Sequence, residues 1–77
     1  MKLYIWENVL KDWTYGIMFA YANSLKQAKE KIIQKLYQKE GKDNAKLLYL
    51  KRFKKELNKK KYRIINKTEG FYILGGQ

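Results

Sequence analysis

Cysteine and histidine are both absent from the chain, and each absence removes a class of explanation. Without cysteine there is no disulfide framework and no thiolate metal site, and small secreted domains usually depend on such staples. The expected setting is therefore reducing and cytoplasmic. Without histidine as well, the usual general base near neutral pH is missing along with the usual thiol nucleophile. No phosphate-binding glycine loop, zinc spacing or calcium loop occurs either. Glu7 and Asp12 lie five apart across a turn and read as surface acids in a basic protein, more than as a metal pair. The expectation is a chain that is not an enzyme and needs no cofactor and no metal. Long apolar runs are missing too. The longest, Ile17 to Ala22, has the length of a strand, far short of the ~20 residues that cross a bilayer. The N-terminal Met1-Lys2-Leu3-Tyr4-Ile5-Trp6-Glu7 meets an acid too early for a secretion signal, so no membrane role is expected. Proline is also absent, alongside heavy use of Lys, Ile, Asn and Tyr.

Acidic side chains are scarce: 7 Asp+Glu face 18 Lys+Arg, a net charge of +11. The imbalance is local. Residues 1–24 and 64–77 are each neutral, residues 25–41 carry five lysines against Glu30 and Glu40, and residues 42–63 carry ten basic side chains against Asp43 and Glu56. A basic centre between neutral ends is the electrostatic footprint of a protein that meets a polyanion. The 45% hydrophobic content argues that the chain folds despite this charge, because disordered chains lack that apolar share. At 77 residues it forms one domain, 1–77.

Lys2 to Trp6 alternates, with Leu3 and Ile5 on one side and Tyr4 and Trp6 on the other, as a half-buried strand does. Glu7 to Thr14 reads as a connection. Tyr15 to Ala22 is continuously apolar and reads as a central strand antiparallel to the first. Ser24 and Gln27 fit a capping box at the start of a helix. Leu25, Ala28, Ile32, Ile33 and Leu36 form its apolar stripe, and Gly41 is a good stop. Asp43 can cap a second helix running to about Lys59, with Leu47, Leu50, Phe53 and Leu57 on one side. Tyr62–Asn66 and Phe71–Leu74 suit a hairpin around Lys67 to Gly70. The expected fold is α+β, in the order β-β-α-α-β-β, with one antiparallel sheet covered on one face by two helices.

The candidate site is the basic face of the second helix together with the cations just beyond its end. Lys51, Arg52, Lys55 and Lys59, then Lys60, Lys61 and Arg63, are placed to contact phosphates and release counterions. The plainer reading of the same residues is a solvated face. Leu48 sits among these cations and Tyr49 beside them, as apolar anchors of an interface would; an exposed leucine is also common on any surface. Tyr62 and Tyr72 could stack on bases, but tyrosine equally favours strands and packs across them. The neutral N-terminal sheet offers an edge through which a second copy could pair.

Trp6-Glu7-Asn8-Val9-Leu10, then Asp12, Thr14, Gly16 to Ala22, Ser24-Leu25 and Ala28, resemble a family of short phage and prophage proteins. The family pattern is W-E-x-V-L-x-D-x-T-x-G, then an apolar strand and a helix opening on Ser. Its members often end in an aromatic strand and two glycines, to which Phe71-Tyr72-Ile73-Leu74-Gly75-Gly76 is similar. The likeness covers the first third and the last few residues; the basic middle departs from it. The motif carries no known activity, so no catalytic residue transfers. The resemblance implies an accessory, anti-defence protein of the anti-CRISPR kind. Many such proteins mimic nucleic acid, which a charge of +11 excludes here. The expected partner is a host nucleoprotein defence complex. The alternatives are direct, weakly specific DNA or RNA binding through the same face, and an assembly role against an acidic protein surface.

Overall fold

The computed structural model of the chain describes residues 1–10, 16–59, 61–66, 70 and 72. The elements run β1 (Lys2–Val9), β2 (Gly16–Ala22), α1 (Leu25–Glu40), α2 (Lys42–Leu48), α3 (Leu50–Leu57) and β3 (Arg63–Ile65). The fold is α+β, as expected, with an antiparallel sheet in the order β2-β1-β3. That order places β1 at the centre and β2 at the edge, the reverse of what the apolar run in β2 suggests.

Strand β1 is buried on both faces and not half-buried. Tyr4 and Trp6 join Met18, Ala20, Ala22, Ala28, Ile32 and Leu57 in the main core beneath the helices. Leu3 and Ile5 form a second cluster with Ile65 on the far side. The strand also runs three residues past Trp6, into the stretch read as a connection. It can do so through a bulge: the register with β2 shifts between Glu7 and Val9, and Asn8 takes φ 57°. Asparagine tolerates this left-handed region better than most residues. An extra residue in a strand reverses the side-chain alternation beyond it. Val9 thereby points into the main core with Trp6, which a regular strand would forbid for residues three apart.

Ser24 caps α1 as its sequence suggests, its Oγ accepting from the Gln27 amide at 3.2 Å. The reciprocal bond falls one residue earlier than in the standard box, with the Asn23 amide donating to Gln27 Oε1 at 2.8 Å. Ala28, Ile32 and Leu36 form the buried stripe. Gly41 ends the helix at φ 81° and ψ 147°, a backbone region essentially reserved for glycine.

The second expected helix is broken at Tyr49, whose φ is −125°. The break has a geometric cause. Ala45 is fully buried, as is Leu57. On a straight helix at about 100° per residue they would point roughly 120° apart. Breaking at Tyr49 lets α2 bury Ala45 and α3 bury Leu57. The cost falls on Leu47, expected on the buried stripe but 81% exposed. Asp43 is not the cap: Gly41 holds that position with no side-chain bond, and Asp43 lies in the first turn of α2. There its carboxylate still faces the positive end of the helix dipole. The expected strand Phe71–Leu74 lies outside the described residues except for Tyr72, which is in no strand and is 78% exposed.

Candidate polyanion interface

The α3 helix carries the candidate site because its two faces have opposite duties. Leu57 is buried, Leu50 and Phe53 are half-buried, and Lys51, Arg52 and Lys55 are exposed on the other side. At 3.6 residues per turn these three cations fall within roughly 100° of arc. The apolar face fixes the helix on the core, so the charges are displayed from a rigid element. Lys54 is also exposed on this helix; its place at the edge of the arc hides it from a reading of the sequence by helix faces.

The rest of the expected cluster is divided. Lys59 is exposed but holds Glu56, Nζ to Oε1, at 2.6 Å. Lys61 is exposed, and Lys60 lies outside the described residues. Arg63 departs from the expected patch. It pairs in register with Ile5, so it stands on the far side of the sheet, away from the helices. There its Nη1 lies 3.1 Å from Glu7 Oε1, an ion pair without hydrogen-bond alignment. Strand alternation decides this, and it cannot be seen from proximity along the chain.

Leu48 is 67% exposed, as an anchor must be. Tyr49 is half-buried and packs edge-on against Phe53, with ring centroids 6.5 Å apart. Tyr62 is committed to the fold: its ring lies 5.7 Å from Trp6 and 6.3 Å from Tyr4. It therefore serves packing, the plainer of its two readings.

Glu56, one of two acids in the basic middle, holds α3 to the sheet. Its Oε2 accepts from the Leu10 amide at 3.2 Å, at a residue whose φ is 53°. The hydrogen bond from Lys59 holds the Glu56 carboxyl below its ordinary range, opposed by partial burial and aided by the Leu10 amide. A second basic row lies on α1. Lys35 and Lys39 are exposed and Lys31 half-buried, the Lys31 Nζ donating to the Tyr21 carbonyl at 2.6 Å. Their spacing of four residues was legible in the sequence; their position beside β2 was not.

Among the described residues no group of three or more acids could hold a metal ion, and no helix is long and apolar enough to cross a membrane. Asp12 lies outside them, and Glu7 is engaged by Arg63. Comparison with family models, curated proteins and solved structures found no match. No comparison adds to the residues quoted above for the resemblance to short phage proteins. Four of those residues have clear structural duties: Trp6 and Val9 fill the core, Asn8 makes the bulge, and Leu10 ties to Glu56.

Proposed function

We propose that this chain is a non-catalytic binding protein that engages a nucleoprotein complex through the outer face of α3. The observation that carries the reading is Lys51, Arg52 and Lys55 displayed together on a helix whose opposite face is anchored in the core. The backbone that displays these charges is already fixed, so meeting phosphates costs side-chain freedom alone. The exposed pair Leu47 and Leu48 nearby supports a target with a protein component, since nucleic acid alone offers such side chains little to bury against. The phage resemblance supplies the biological class: an accessory factor that inhibits a host defence complex. Direct binding to free DNA or RNA is the second reading, favoured by the density of cations.

The test is a titration against short single-stranded and duplex DNA and RNA between 50 and 200 mM salt. A face making about three phosphate contacts gives a log–log salt slope of roughly −2 to −3. Reversing Lys51, Arg52 and Lys55 to Glu leaves the fold intact, removes that slope and abolishes capture of the nucleoprotein target. Unchanged target binding by the triple variant would leave this face as a solvated surface.

A further inference from the structure

A second surface, distinct from α3, has the features of a strand acceptor. Among the described residues no strand lies outside β2. Edge strands are ordinarily protected by charge, proline or a covering element. Gly16–Ala22 contains neither charge nor proline, and it leaves Ile17, Phe19 and Tyr21 43%, 57% and 54% exposed. The Lys31 bond to the Tyr21 carbonyl guards one end. Between this edge and α1 runs an open groove of about 630 Å³, floored by Met18, Ala20, Ile32, Leu36 and Phe53. Lys31, Lys35 and Lys39 line its helical wall, with Glu40 as the lone acid in the lining.

We propose that the β2 edge and this lysine row dock an extended acidic segment of a partner protein, which adds to the sheet as the strand beyond β2. Backbone hydrogen bonds supply affinity in such strand addition, and alternate side chains supply specificity. The spacings agree. Alternate residues of a strand repeat every ~6.7 Å, and lysines four apart on a helix repeat every ~6 Å. Two acidic side chains on the helix side of an added strand thus meet Lys35 and Lys39 in turn, while Lys31 keeps the Tyr21 carbonyl. The intervening side chains fall on the far side, beside Ile17, Phe19 and Tyr21, and should be apolar. Charge argues against a second copy of this chain as the occupant. Antiparallel pairing of two β2 edges sets both α1 helices on the same side of the joined sheet, bringing two lysine rows together.

The probe is a labelled octapeptide alternating Glu and Val, titrated by fluorescence anisotropy against the full chain at 50 and 200 mM salt. Saturable binding is expected. N-methylation of one alternate set of peptide amides abolishes it and of the other set spares it, because only one edge of the added strand faces β2. K35E/K39E weakens binding at least about tenfold, as loss of paired charges at an interface does. Phe19→Ser weakens it several-fold, and the triple reversal on α3 leaves it within about threefold, which separates this site from the one proposed above. The proposal is overturned by no saturable binding at low salt, or by equal binding of a Lys–Val peptide. It is likewise overturned if the two N-methylated peptides behave alike, if the α3 reversal matches K35E/K39E, or if sedimentation finds a dimer that excludes the peptide.

Discussion

Leu47 and Leu57 are the same residue type, ten positions apart, and the apolar pattern of the sequence assigns them to one buried face. The structure separates them: Leu57 is 2% exposed and Leu47 81%. Truncating each to Ala therefore tests the break at Tyr49 directly. Leu57 packs in the cluster with Tyr4, Trp6 and Ile32, so Leu57→Ala loses the transfer energy of the side chain and leaves a cavity, together about 2–5 kcal/mol. The whole domain is worth only roughly 4–12 kcal/mol at its size, so this variant sits near the edge of folding. Leu47 buries about a fifth of its surface, and Leu47→Ala should change stability by less than about 0.5 kcal/mol. Urea denaturation followed by far-ultraviolet circular dichroism measures both, with the denaturant slope as a check that the unfolding transition is the same. Comparable losses at the two positions would refute the broken helix and restore a continuous one with Leu47 in the core.

Gly41→Ala should destabilise by about 1–3 kcal/mol, because φ 81° with ψ 147° is strained for any side chain. The cause is the backbone alone, since an added Cβ would meet nothing within 4 Å; a wild-type denaturation midpoint would show that the helix ends differently. Glu56→Gln should weaken the tie between α3 and Leu10 and flatten the acid limb of stability. The carboxyl is held below its ordinary value in the folded chain, chiefly by the hydrogen bond from Lys59, so its contribution is present above the unfolded value and lost as pH falls through the folded one. Denaturation from pH 6 down to pH 3 should show wild type losing its advantage over Glu56→Gln in that acid window, and parallel curves would count against the role assigned to Glu56.

Much of the local structure was legible because it rests on neighbours in sequence. The Ser24 cap, the stripe Ala28–Ile32–Leu36 and the stop at Gly41 each depend on residues within a turn or so. The antiparallel pairing of β1 and β2 follows from two apolar runs joined by a short polar connection. The division of charge between a basic centre and neutral ends is likewise a property of the sequence alone, and it is what the proposed binding role starts from. The tertiary structure decided what depends on distant partners. Whether β1 or β2 is central turns on where β3 docks, and a continuous apolar run reads alike on a buried strand and on an exposed edge. The bulge at Asn8 turns Val9 into the core, and the break at Tyr49 turns Leu47 out of it, because burial of Ala45 and Leu57 together outweighs one helix's regularity. Arg63 left the expected basic patch for the far side because strand alternation, fixed by pairing with Ile5, overrides closeness in the chain. The lysine row of α1 became part of a candidate site only when the fold laid it along β2, which among the described residues has no strand beyond it.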